Sequence, residues 1–149
     1  MNLIGPKDRI QHVRVLGPVR PESQVEIART EEFKLGIDAP IRLSGDLRGT
    51  PGIVLEGPAG QIKLDHGVIC AMRHIHMSPT DAMEFALRDH DVVRIRTSGE
   101  RSLVFGDVVV RVHPDFRLDM HIDTDEANAA EVGPVAVGYV DSVQARASG

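Results

Sequence analysis

The feature that most constrains this chain is its broken apolar pattern. Short runs rich in Val and Ile recur throughout: Val13–Leu16, Gly52–Glu56, Gln61–Leu64, Val68–His76, Val92–Thr97, Leu103–Phe105 and Val108–Val112. Several alternate apolar with polar residues, as in Val92-Val93-Arg94-Ile95-Arg96 and Gln61-Ile62-Lys63-Leu64, the period of a half-buried strand. Gly17-Pro18, Gly49-Thr50-Pro51-Gly52, Gly57-Pro58 and Gly133-Pro134 separate the runs as turns. The expectation is a mainly β chain of many short strands, closed as an antiparallel barrel or stacked as a sandwich.

Three places break this rhythm in the same way. Val25–Arg29 runs into Thr30-Glu31-Glu32, Arg73–Met77 into Ser78-Pro79-Thr80-Asp81, and Leu118–Asp123 into Thr124-Asp125-Glu126. Each reads as a strand, a hydroxyl cap and an acidic helix start. The hydroxyl satisfies orphan N–H groups and the acids favour the positive end of the helix dipole. Pro79 suits the first helical position, where its missing donor does no harm. The three units read as a loose internal repeat, and Glu26, His74, His76 and His121 all stand just before its caps.

Composition narrows the function. Of 149 residues, 17 are basic and 22 acidic, for a net charge of −5, which disfavours a phosphate-backbone partner such as DNA. Aromatic residues are 3% with no Trp, so stacking platforms for single-stranded nucleic acid are not expected. The single cysteine, Cys70, excludes an internal disulfide and a four-cysteine zinc site. It reads as a small core hydrophobe, with a thiol near a metal left open. No apolar run approaches the roughly 18 residues of a membrane span, and Met1–Gly5 does not read as a secretory start. A reducing, cytoplasmic setting is the expectation.

His74-x-His76 is the sharpest local signal. Residues two apart on a strand point to one face, where two imidazoles can hold a metal or simply face solvent. His121 is either a third ligand, completing an open three-histidine site, or a neighbour of the helix cap that bonds a carbonyl. His12, His66, His90 and His113 lie in turn or loop contexts and read as solvated. Glu26, inside Val25-Glu26-Ile27, is either a core-facing carboxylate needing a metal or arginine, or an outward one beside Arg29. Arg20, in the stiff stretch Gly17-Pro18-Val19-Arg20-Pro21, is either a bidentate grip for phosphate or carboxylate, or a solvated loop residue. Asp123, Asp125 and Glu126 lack calcium-loop spacing and read as helix-start acids.

Longer stretches carry more. Val13–Arg20, Gln24–Thr30, Leu35–Pro40, Ser44–Leu47, Gly49–Gly52, Arg73–Pro79 and Met120–Ala130 together resemble the phosphate propanoyltransferases of bacterial microcompartments. The resemblance covers most of residues 4 to 132. It implies reversible conversion of an acyl-coenzyme A, propanoyl-coenzyme A above all, and phosphate to an acyl phosphate and coenzyme A. It implies two small antiparallel β-barrel-like lobes capped by short helices, with a two-zinc site between them. On this chain the lobes would be residues 1–72 and 73–132 of a single unit, with a tail, 133–149, that is either a last strand or a docking segment. By position, His74, His76 and His121 match the ligands of one zinc, Glu26 a ligand of the other, and Arg20 the arginine that orients phosphate.

The family also carries a His-x-His strand ahead of anything present in this sequence. One zinc is therefore expected from this chain, and one or both lobes are expected to be incomplete at the N-terminus. Unpaired edges would favour a homo-oligomer or a partner that supplies strands. The targeting peptide of some relatives is missing, so a microcompartment location rests on the resemblance alone. Two further readings remain open: a non-enzymatic zinc-binding paralogue or assembly module, and a one-zinc thioester hydrolase.

Overall fold

Strand alternation in the sequence translates directly into burial. In the computed structural model, which describes residues 1–133 and 135–147, Val93 and Ile95 are buried while Arg94 and Arg96 are exposed. The chain divides into two units, Met1–Ala71 and Met72–Gly149.

The first unit contains β1 (Asn2–Ile4), β2 (Arg9–Ile10), β3 (Val25–Glu26), α1 (Arg29–Leu35), β4 (Ile41–Arg42), β5 (Ile53–Gly57), β6 (Gly60–Leu64) and β7 (Val68–Ala71). An antiparallel sheet runs β2-β1-β5-β6, and a small parallel one runs β3-β7-β4. Val68, Ile69 and Cys70 are all buried. β7 is the middle strand of a parallel sheet, so a continuous apolar run replaces alternation there. Leu3, Val25, Ile27, Leu35, Ile53, Val68 and Cys70 belong to this unit's core. Gly36 ends α1 with a left-handed φ of 73°, and its N–H donates to the Glu32 carbonyl. A Cβ at Gly36 would lie 2.7 Å from Lys7 Cβ, so glycine is required for both reasons.

The second unit contains β8 (His74–Met77), α2 (Pro79–Glu84), β9 (Val92–Arg96), β10 (Val104–Val112), β11 (Asp119–His121), α3 (Thr124–Ala129) and β12 (Tyr139–Ala145). One five-stranded sheet runs β11-β8-β10-β9-β12. Its β8–β10 pair is parallel and the others antiparallel. Ile75, Met77, Val93, Ile95, Phe105, Val108 and Val110 form the core beneath it. Arg146 and Ala147, just past β12, are tied to this core through Asp91, which is fully buried. It accepts from the Arg88 N–H at 2.9 Å, the Ala147 N–H at 2.8 Å and the Arg146 guanidinium at 2.7 Å. Burial alone would push the Asp91 carboxyl up, but the bonds from Ala147, Arg88 and Arg146 hold it below its usual value.

The mainly β fold with short helical caps holds, while the sheets stay open and three pairings are parallel. Val13–Leu16, expected as a strand, is a loop with Val15 and Leu16 exposed. The run Val68–His76 breaks at Met72-Arg73 into β7 and β8, one in each unit. Leu103–Phe105 and Val108–Val112 fuse into β10, with a bulge between Phe105 and Val108 that hides their continuity. Only one of the three expected hydroxyl caps forms. Ser78 accepts from the Asp81 N–H while Asp81 accepts from the Ser78 N–H. Thr30 and Thr124 lie inside their helices, whose caps are Ala28 and Asp123. Glu31 reaches back to the Ala28 N–H, and Asp123 exchanges bonds with Glu126. An acid three residues into the helix thus satisfies the cap in all three. Of the expected Gly133-Pro134 turn, Pro134 lies outside the described residues.

Candidate functional site

Register builds the histidine cluster. His121 on β11 pairs with His74 on β8, and His76 lies two residues along β8. Opposed residues in an antiparallel ladder share a face, as do residues i and i+2, so all three rings stand on one side of the sheet. The other side carries Ile75, Met77 and Met120 into the core. A one-residue slip would expose Ile75 and Met77, each worth about 1.5–3 kcal/mol of burial. The core therefore fixes which way the histidines point.

The rings are close. His74 and His121 stack with centroids 4.9 Å apart, His74 and His76 are separated by 4.8 Å, and His76 and His121 by 4.4 Å. One nitrogen from each lies within 4.8 Å of the others, an arrangement that could hold a metal ion. Tetrahedral zinc with bonds of about 2.0–2.1 Å needs nitrogens about 3.3 Å apart, which small side-chain rotations supply. His74 Nδ1 lies 2.9 Å from the Met72 carbonyl, which can only accept. Nδ1 therefore carries a proton, which leaves Nε2 as the nitrogen that would ligate a metal.

His76 is the ring whose environment disfavours the charged form. Burial, the rings of His121 and His74, and Arg111 push its pKa down to about 4, against a smaller opposing pull from Asp119. Arg111 and Asp119 pair with His76 from the strands on either side and so share its face. A neutral imidazole is the form that binds a metal, so the donor set fits the ion. Phe116 stacks on His76 at 3.9 Å with 16° between the rings. Sequence reading passed over Arg111, Asp119 and Phe116. Asp119-x-His121 alternation places Asp119 beside His121, but Arg111 needed the register and Phe116 sits in a loop with no periodic signal.

Arg20 and Glu26 belong to the first unit, where one polar network joins them. Arg20 donates to Ser44 Oγ at 3.1 Å. Gln24 Nε2 donates to Ser44 Oγ at 2.9 Å and to Glu26 Oε1 at 2.5 Å, and Ser44 Oγ donates to Glu26 Oε1 at 3.3 Å. Gln24 Oε1 accepts from the Gly45 N–H at 2.8 Å, which anchors the amide. Glu26 is exposed between buried Val25 and Ile27, so its carboxylate faces outward. Arg29, the expected neighbour, pairs with Glu32 at 2.7 Å instead. His12, His66, His90 and His113 are exposed. Asp123, Asp125 and Glu126 lie at the cap and first turn of α3.

These two sets of residues lie within a chain whose relatives are named. A family model described as phosphate propanoyltransferase matches residues 1–133. The chain belongs to that family. It is 52% identical over 141 residues to the phosphate propanoyltransferase of Thermotoga maritima, covering 94% of this chain and 67% of the relative. It is 56% identical over 135 residues to the enzyme of that name from Limosilactobacillus reuteri, covering 89% and 63%. The Salmonella typhimurium enzyme of that name is 54% identical over 131 residues, covering 87% and 62%. The chain thus spans about two thirds of the length of these curated relatives. Among the described residues no helix is long and apolar enough to cross a membrane.

Proposed function

We propose that this chain transfers a propanoyl group between coenzyme A and inorganic phosphate, with a zinc ion held by His74, His76 and His121. The observation that carries the reading is the cluster of three close imidazoles, with His76 held neutral, in a chain of this family. A zinc ion bound there supplies a Lewis acid for the thioester carbonyl, whose oxygen gains negative charge as phosphate attacks.

The chain's own residues account for the remaining steps. A phosphate oxygen forms a bond to the carbonyl carbon, the carbon–sulfur bond breaks, and coenzyme A leaves as a thiolate. Phosphate dianion is itself the nucleophile, so no side chain is assigned as a general base. Arg20 holds the phosphate. One of its N–H donors goes to Ser44, which steadies the planar fork for bidentate contact. Holding the second substrate in place lowers the entropic cost of a two-substrate reaction. Glu26 offers a carboxylate for a second cation, with Gln24 and Ser44 setting its orientation.

The test is release of free thiol from propanoyl-coenzyme A by zinc-supplied protein, with and without phosphate. Phosphate-dependent release accompanied by propanoyl phosphate is the expected result. Release that ignores phosphate points to thioester hydrolysis, and no release by folded, zinc-loaded protein overturns the enzymatic reading.

A further inference from the structure

The loop between β10 and β11 does more than connect strands. Its first residue is tied to the strand that carries the histidines, since the His113 N–H donates to the Met77 carbonyl at 3.1 Å. It then turns back on itself, with the Phe116 N–H donating to the His113 carbonyl at 3.0 Å. The Asp115 N–H donates to His113 Nδ1 at 3.2 Å, a second bond across the same turn. These bonds set the loop against the end of β8, one residue from His76, and deliver Phe116 onto the His76 ring. The two rings lie 3.9 Å apart and within 16° of parallel. His113 packs against the other partner of this stack, its ring tilted at 49° to Phe116 with 5.3 Å between centroids. Phe116 itself is half-buried.

A stacked benzene ring has a specific effect on an imidazole. It leaves the ring edge, where the nitrogens are, open for bonding, but it covers one face and restricts rotation about the second side-chain torsion, which is otherwise broad. His74 has its orientation set by the Met72 carbonyl. Among the described residues His76 makes no hydrogen bond, so its plane is set by packing. We propose that Phe116 is a positioning residue for metal binding: it fixes the plane of the His76 imidazole and shields that face from water. The inference rests on the zinc reading of the histidine cluster, and it concerns a residue outside the ligand set.

Cobalt(II) provides a readout independent of turnover, because its visible absorption reports coordination geometry and its uptake can be titrated. Wild-type protein is expected to take up cobalt with the intense bands of a four-coordinate site. Phe116→Ala is expected to weaken cobalt and zinc affinity about 10–100-fold, the usual cost of removing an orienting neighbour of a ligand, with the metal-free melting temperature little changed. Phe116→Tyr keeps the planar ring and is expected to restore affinity. Phe116→Leu keeps apolar bulk without the stack; it protects the test against a poorly folded alanine variant and is expected to remain weaker than Phe116→Tyr. Wild-type affinity in Phe116→Ala or Phe116→Leu overturns the proposal. A wild-type protein that takes up no cobalt overturns the zinc reading itself, a result distinguishable from failure of the Phe116 inference alone.

Discussion

His74, His76 and His121 stand on strands whose opposite face is core, whereas Arg20, Gln24, Glu26 and Ser44 stand on loops and the two-residue strand β3. In the second unit, ring positions follow from backbone register and from burial of Ile75, Met77 and Met120. In the first, side-chain positions follow from hydrogen bonds among exposed and half-buried groups. The difference teaches where each set is vulnerable. A register-held cluster resists single surface changes and fails when its strands melt. A network of exposed hydrogen bonds fails by degrees, each bond contributing only about 0.5–1.5 kcal/mol.

The largest expected effect is on the register-held side. His74→Ala removes the ring whose tautomer is fixed by Met72, leaving two imidazoles. Zinc content measured on purified protein should fall, and turnover should drop by about 10²–10³-fold or more, the scale for losing one centre of charge stabilisation. Retained zinc and retained turnover would refute the placement of the metal.

Asp91 tests the claim that strand integrity underlies the cluster. It lies in the turn before β9 and holds Arg146 and the Ala147 N–H just past β12. Asp91→Ala should destabilise the second unit by about 1–3 kcal/mol, because two backbone donors lose a buried charged acceptor while the half-exposed Arg146 is resolvated by water. Its pH dependence follows from a folded pKa held below the unfolded value of about 3.9. The carboxylate's contribution is complete above that unfolded value and is lost as pH falls through the lower folded one. Denaturant melts of wild type and Asp91→Ala should therefore converge on acidification below about pH 4. A stability gap that stays constant between pH 6 and pH 3, as measured in those melts, would show that the Asp91 charge is not what ties down Arg146 and Ala147.

How much of this was readable beforehand divides along the same line. The His-x-His face and the acidic start of each helix were legible because period-two alternation and helix-start chemistry are local. The exact cap was not, since an acid three residues into the helix works with Ala28 as well as with Ser78. Parallel pairing of β3, β4 and β7 was hidden because two-residue strands carry no period at all. Ser44 and Gln24 lay within the family-like stretches, yet nothing local marks two polar loop residues as partners of Glu26. Their contact spans about twenty positions of loop and helix, and only the folded chain closes it.

Arg20→Ala is the larger of two expected effects in the first unit. Loss of a charge-assisted contact worth about 1.5–3 kcal/mol should raise the phosphate KM by roughly 10–100-fold, while zinc content stays at the wild-type level. Arg20→Lys should recover part of this, since it restores charge without the planar fork. A drop in zinc content in Arg20→Ala, measured on protein purified in parallel with wild type, would break the separation between the two sets of residues.

Ser44→Ala should give the smallest effect and the most informative one. Ser44 Oγ accepts from Arg20 and from Gln24 and donates to Glu26, so one hydroxyl joins the guanidinium to the carboxylate. Arg20 and Glu26 are exposed and Gln24 and Ser44 only half-buried, so water can replace the lost bonds and the cost is a loss of order and not an unsatisfied buried charge. The expectation is a phosphate KM raised about two- to tenfold with kcat little changed, because Arg20 keeps its charge and loses only its orientation. If the network positions Arg20, Ser44→Ala in an Arg20→Ala background should add nothing to the phosphate KM, since there is no guanidinium left to orient. Additive effects in that double variant would mean that Ser44 acts on phosphate by itself, and that the first unit holds its substrate through separate contacts and not through one connected network.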